Sequence, residues 1–277
     1  MMLINGVETD QITAIDRGLQ YGDGLFETIA VVDGEPEFWQ QHLQRLQQGG
    51  ERLALSIPDA VLLQQESEQL IAAADANIHR WVLKITVTRG SGGRGYRYSE
   101  AQTPTRILSL SPWPYSEQQQ SEAVTQGVML HICNTRLGEN PTLAGIKHLN
   151  RLEQVLARNE WSDPAIAEGV VMNPQGEMVE GTMSNLFFVQ NGELVTPELK
   201  QSGVVGVMRQ QIIQQLQQQG VTVAIRPIPL QQLILTEEAF CCNSLIGIWP
   251  IHKIGGISFH APGPITKDCI QRLKRGS

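Results

Sequence analysis

Aromatic residues make up only 5% of this 277-residue chain, and lysines number six. No apolar run approaches the ~20 residues that cross a bilayer, and the opening MMLINGVETD has no basic segment leading into a long apolar one. A helical membrane span is therefore not expected, and the chain reads as cytoplasmic. Basic excess is missing too. The formal charge is −7 and the pI is near 5.4, whereas a nucleic-acid scaffold needs a basic face. The four cysteines, Cys133, Cys241, Cys242 and Cys269, include no C-x-x-C pair, and the six histidines form no H-x-x-x-H or H-E-x-x-H arrangement. No zinc site or disulfide framework is expected, and the thiols read as buried.

What the chain does have is enough apolar content, 41%, for a sizeable core. Its length exceeds the usual single domain of about 100–200 residues. Short strand patterns at Leu3-Ile4 and Thr28–Val32 lead to the turn signal Asp33-Gly34. Helical patterns follow over Trp39–Leu55, with Leu43, Leu46 and Leu53 inward and Gly49-Gly50 as a weak middle, and over Leu62–Ala74. The stretch from Ser111 through the glutamine run breaks periodicity, so the expected layout is a smaller α/β domain over 1–113, a linker over 114–121 and a larger domain over 122–277. The second half reads as a strand at Val128–Cys133 and a helix after His148 with Leu149, Leu152, Val155 and Leu156 on one face. Strand patterns then surround Asn173–Gly176 and Asn191-Gly192, and a helix spans Val207–Gln218, stopped by Gly220. Further strands near Val221–Ile225 and Ala239–Cys242 precede a C-terminal helix. The class is mixed α/β and α+β.

Residues 86–98, TVTRGSGGRGYRY, satisfy G-x-G-x-x-G at Gly90, Gly92 and Gly95. In a dinucleotide site a strand enters such a loop and a helix leaves it. A strand pattern does enter, over Trp81–Val87, but Pro104 and another strand-like run follow. The loop is therefore either a hairpin tip or, because Arg89 and Arg94 flank the glycines, an anion trap for carboxylates.

Lysine is ordinarily solvated. Lys147 is set instead among Leu143, Ala144, Gly145, Ile146 and Leu149, at an expected helix start where desolvation and the helix dipole would both depress its pKa. A neutral amine is the form that attacks a carbonyl. Glu180 ends a strand pattern, where a solvated turn carboxylate is the plain alternative.

The series GIKHLNRLEQ, VEGTMSNLFFV, GVVGVMRQ and CCNSLIGIWPI, from Gly145 to Ile251, resembles the class IV aminotransferase-like family of pyridoxal-phosphate enzymes. That resemblance runs over nearly the whole chain and implies a two-domain, fold-type IV architecture like that of D-amino-acid aminotransferase. RGSGGRGY and LAGIKHLNRLEQ are most similar to the family's carbon–oxygen lyases. These act on 4-amino-4-deoxychorismate and make 4-aminobenzoate, a folate precursor. D- or branched-chain amino-acid transamination is the alternative. The resemblance implies that Lys147 holds pyridoxal 5'-phosphate covalently and later moves the substrate proton. It places Glu180 at the pyridine nitrogen and Arg45 on the phosphate, joined by the amides of Val207, Met208, Asn243 and Ser244. Asn-Ser stands where the family often has Gly-Thr, keeping the hydroxyl and giving up glycine's backbone freedom. Tyr21, Arg89 and Arg94 are implied to bind substrate, Asp23-Gly24 to line the wall opposite the glycine loop, and the protein to be a homodimer. No metal and no nucleic acid are expected.

Overall fold

The computed structural model describes residues 1–99 and 102–275. The chain divides into two compact units, Met1–Pro114 with Ile146–Asn150, and Tyr115–Gly145 with Arg151–Ser277. The five residues around Lys147 thus pack with the first unit although they lie within the sequence of the second.

Six strands of the first unit form an antiparallel sheet in the order Val7–Glu8, Met2–Ile4, Thr105–Pro112, Arg80–Thr88, Gly24–Val32, Glu35–Pro36. In the strand GLFETIAVV, strict alternation buries Leu25, Glu27, Ile29 and Val31. Glu27 therefore sits in a register that calls for an apolar residue. The helices Trp39–Leu53 and Ala60–Ala72 supply Leu46, Leu63 and Leu70 to the core that Ile29, Leu83, Ile85 and Leu108 share. The Gly49-Gly50 pair, expected to weaken its helix, lies where that helix is closely packed. A Cβ on Gly50 would stand 2.4 Å from Ile57 Cγ1, and one on Gly49 2.9 Å from Leu25 Cδ1.

The strand Arg80–Thr88 enters the glycine loop, and the next element among the described residues is the strand Thr105–Pro112. No helix opens from the loop, so the chain has no dinucleotide-type turn there.

The second unit holds a mixed nine-stranded sheet. From one edge its order is Val223–Arg226, Glu193–Pro197, Asn185–Gln190, Thr236–Asn243, Gly247–Ile254, Val128–Arg136, Ile166–Met172 and Met178–Gly181, with Ile257–Ser258 added to Gly247–Ile254. Its core joins Leu130, Val170, Leu186, Phe188, Cys241 and Ile251. The cysteines are all free and buried, as expected.

Two sequence readings change here. The glutamine run placed in a linker is the helix Glu117–Gln126, started by a reciprocal capping box between Ser116 and Gln119. The helix expected directly after His148 begins only at Leu152 and is short, Leu152–Arg158. Its apolar stripe faces outward, because Leu152, Val155 and Leu156 are exposed.

Candidate active site

Lys147 lies on an extended rung. Phe26 N–H donates to Lys147 O at 3.0 Å and Leu149 N–H to Gly24 O at 3.0 Å, which lays 147–149 against the first residues of strand Gly24–Val32. The helix dipole expected to act on the amine is thus not at its position. The half-buried side chain instead places Nζ 4.3 Å from the centre of the Phe26 ring. An aromatic face at that distance attracts the ammonium form and fixes where the amine rests.

On the same strand, Glu27 binds Arg45 through two bonds, Nε to Oε1 at 2.9 Å and Nη2 to Oε2 at 2.5 Å. His42, three residues before Arg45 on the same helix, brings Nδ1 to 2.6 Å from Glu27 Oε2. Burial alone would raise the Glu27 carboxyl, but the Arg45 charge and the hydrogen bonds from His42 and Arg45 prevail and hold it at about 2. Burial also lowers His42 against the pull of Glu27, so the neutral ring carries its hydrogen on Nδ1 to meet the carboxylate. Arg45 is consequently a mostly buried, oriented guanidinium, 11% exposed, and not a surface arginine.

The glycine loop is strapped from beneath. Asp23 Oδ2 accepts from Arg17 Nε at 2.8 Å and Arg89 Nε at 2.9 Å. Arg17 then holds Gly95 O and Tyr96 O, both at 2.9 Å, while Arg89 donates to Ala54 O and Leu53 O at 2.7 and 2.8 Å. Tyr98 covers the Arg89 guanidinium, 3.9 Å from its ring centre, and Tyr21 meets Tyr96 edge to face. Arg89, expected to take a substrate carboxylate, is therefore buried and committed to a carboxylate of its own chain. Arg94 is exposed and Tyr21 half-buried. Burial raises the Asp23 carboxyl, but Arg89 and then Arg17 outweigh it and hold it below the ordinary value. Asp23→Asn is expected to cost roughly 1–3 kcal/mol and to speed trypsin cleavage after the exposed Arg94 and Arg97. Unchanged cleavage at those two bonds would show that Asp23 is not the strap.

In the second unit Glu180 is buried at 4% exposure. Its Oε2 accepts the Val204 N–H at 2.7 Å and its Oε1 the Gln154 side chain at 3.3 Å. Arg151 adds positive charge: burial lowers its guanidinium from the ordinary value, and the negative charges of Glu180 and Glu153 oppose that. Gly145 pins the same segment, donating to Gly203 O at 2.8 Å and accepting from Val205 N at 3.1 Å.

Two turns of this unit are joined through Asn185. Its Oδ1 accepts from Gly206 N at 3.0 Å, the cap of the helix Val207–Gln218, and its Nδ2 donates to Val204 O at 2.9 Å. Across the sheet Asn185 pairs with Cys242, next to Asn243 and Ser244. The amides of Val207 and Met208 precede the first intrahelical acceptor, which makes them anion donors. Asn243 Oδ1 accepts from Leu245 and Ile246 at 2.8 and 2.9 Å. Asn243 is not among the residues of positive φ, so asparagine fills the family's glycine position without strain.

Residues 24–254 match the family model for class IV aminotransferases. The chain belongs to that family. It is 37% identical over 96% of each chain to the aminodeoxychorismate lyase of Vibrio harveyi. To a putative branched-chain-amino-acid aminotransferase of Methanocaldococcus jannaschii it is 29% identical, over 98% of this chain and 94% of that one. The crystal structure of 4-amino-4-deoxychorismate lyase from Pseudomonas aeruginosa superposes with a TM-score of 0.90 at 43% identity, over 99% of this chain and 98% of that one.

Enzymes of this family depend on pyridoxal phosphate, and the residues fit it. A buried acceptor-only carboxylate suits a ring N–H, and helix-start amides with a neighbouring hydroxyl suit a phosphate. Gln154 Oε1, beside that carboxylate, is also buried without a partner among the described residues. Sequence reading missed Arg17, Glu27 and His42. The available signals were the acid in a core register at 27 and the i, i+3 spacing of His42 and Arg45.

Proposed function

We propose that this chain converts 4-amino-4-deoxychorismate to 4-aminobenzoate and pyruvate. The observation that carries this is the match to lyases across nearly the entire chain, at 37% and 43% identity, against 29% and 26% for the aminotransferases of M. jannaschii and Bacillus licheniformis. When bound, the cofactor supplies an electron sink for charge released at the substrate carbon. Lys147 holds the cofactor and, once displaced, takes the proton from the ring carbon that bears the amine. The enolpyruvyl ether oxygen leaves and picks up a proton, giving pyruvate. No oxidant or second substrate is consumed. Glu180, fixed by Val204 and Gln154, keeps a proton on the pyridine nitrogen. The phosphate is held by Arg45 and by the amides of Val207, Met208, Asn243 and Ser244. With Arg89 committed internally, Arg94 and Tyr21 remain for the substrate carboxylates. The purified protein should carry a near-visible absorption band that borohydride removes, with the label on Lys147. Its turnover should need no added keto acid. A colourless protein that PLP cannot reconstitute, or an absolute keto-acid requirement, would contradict the reading.

The reading includes a homodimer. Leu152, Val155 and Leu156 are 76%, 52% and 63% exposed on one short helix, an apolar stripe that a second copy can cover. Light scattering should give about twice the 30.7 kDa chain mass, and Leu156→Glu should move the protein toward monomer. A wild-type protein that runs at the chain mass would rule the dimer out. A cytoplasmic location accords with the four free thiols.

A further inference from the structure

Glu168 lies on the strand Ile166–Met172 and is 4% exposed. Its Oε1 accepts from Gly169 N at 2.9 Å, from Thr182 N at 2.9 Å and from the Thr182 hydroxyl. Its Oε2 accepts from Met183 N at 3.1 Å and Ser184 Oγ at 2.9 Å. All but the first of these donors belong to residues 182–184, the turn between the strands Met178–Gly181 and Asn185–Gln190. The turn closes on itself through Gly181 N–H to Ser184 O at 2.6 Å. It has no room for a side chain at 181, where a Cβ would stand 2.2 Å from Ser184 Oγ and 3.0 Å from Glu168 Oε2.

The ends of this turn are Glu180 and Asn185. Glu180 grips Val204 N; Asn185 grips Val204 O and Gly206 N. The turn's own Met183 O takes the Asn243 side chain at 3.1 Å. One buried carboxylate thus anchors the piece of backbone from which the ring-nitrogen acid and both pairs of anion-binding amides are set.

We propose that Glu168 is a positioning residue, one that fixes the 181–184 turn and thereby the spacing between the cofactor's ring-nitrogen acid and its phosphate donors. This rests on the assignment of Glu180 and those amides to the cofactor. The chemistry of the site asks for an ionised carboxylate, because five donors converge and only an acceptor-only group serves them all. Glutamine has the same shape but turns one oxygen into a donor, which faces an N–H or hydroxyl and leaves a buried pair unmade.

The test compares wild-type and Glu168→Gln protein, reconstituted with PLP. Glu168→Gln is expected to weaken PLP binding about 10–100-fold, the scale on which outer partners act on bound groups. It is also expected to reduce the visible circular dichroism of the bound cofactor and to shift the pH midpoint of its absorption band. Ser184→Ala removes one donor and should give a smaller change in the same direction. Added to Glu168→Gln it should contribute little more, because the two act through one contact. Should Glu168→Gln fail to fold, Ser184→Ala and Thr182→Val carry the same measurements. A Glu168→Gln protein that melts earlier yet binds PLP within about twofold of wild type, with the band midpoint unmoved, would reduce Glu168 to a structural brace. Wild-type protein that takes up no PLP sinks the cofactor reading and this proposal together. PLP uptake by wild type with an indifferent Glu168→Gln variant sinks this proposal alone.

Discussion

Lys147→Ala should lose lyase turnover by about 10⁴-fold or more, since one substitution removes both the covalent tether and the proton acceptor. The variant is expected to fold, because the rung that carries the lysine is held by main-chain bonds, Phe26 N–H to Lys147 O and Leu149 N–H to Gly24 O. Those bonds do not depend on the side chain. Loss of the amine removes only its packing on the Phe26 ring, 4.3 Å away, worth about 0.5–1 kcal/mol. The account therefore expects a clean separation, with near-normal melting and no borohydride-stable label, together with pyruvate release at the background rate. Lys147→Arg keeps the charge over Phe26 yet cannot supply a neutral amine, so it should be equally inactive. If either variant kept activity within about tenfold of wild type, the lysine would have neither role.

The second large effect is on stability. Glu27→Gln removes the partner of a bidentate, largely buried Arg45 and of a fully buried His42, and breaking one side of such a group costs about 3–5 kcal/mol. The pH dependence gives a second estimate. The Glu27 carboxyl is held at about 2 against an ordinary 4.5, and at about 1.4 kcal/mol per unit this is worth about 3 kcal/mol. Because the folded value is depressed, that contribution is complete above the unfolded value and lost as pH falls through the folded one. The gap between wild type and Glu27→Gln should be full near neutrality and shrink between about pH 5 and pH 2. Urea unfolding of both proteins across that range checks it. A gap that is small at neutral pH, or that grows on acidification, would mean the carboxylate is not the ion the geometry describes.

The periodic elements were legible because their patterns were strong. The strand around Thr28–Val32 shows its alternation, and Ile212, Ile213 and Leu216 lie buried on the helix Val207–Gln218. Punctuation was legible where a local rule governs it, as at Asp33-Gly34 and Asn191-Gly192. What could not be read was direction and distance. The stripe of Leu152, Val155 and Leu156 has a helical period, but a period does not say whether the stripe meets its own core or another copy. Arg89 looked like an anion trap because glycines flank it. Its carboxylate proved to be Asp23, brought beside it by the register that sets Gly24 opposite Thr88. Glu27 and Glu168 were passed over for the same reason. Each is a single acid in an apolar strand, and the donors that justify its burial lie 14 to 18 residues away, or belong to a turn whose closure sequence spacing does not reveal. The helix Arg17–Tyr21 was too short for any period, although Asp16 is its cap.

Product analysis tests the central claim most directly. Purified protein loaded with PLP is given 4-amino-4-deoxychorismate and no keto acid, and pyruvate and 4-aminobenzoate are measured over the same time course. The account predicts that the two appear together in equal amounts while the cofactor band persists. Amino-group transfer to a keto acid with no pyruvate formed would contradict it and make the chain a transaminase.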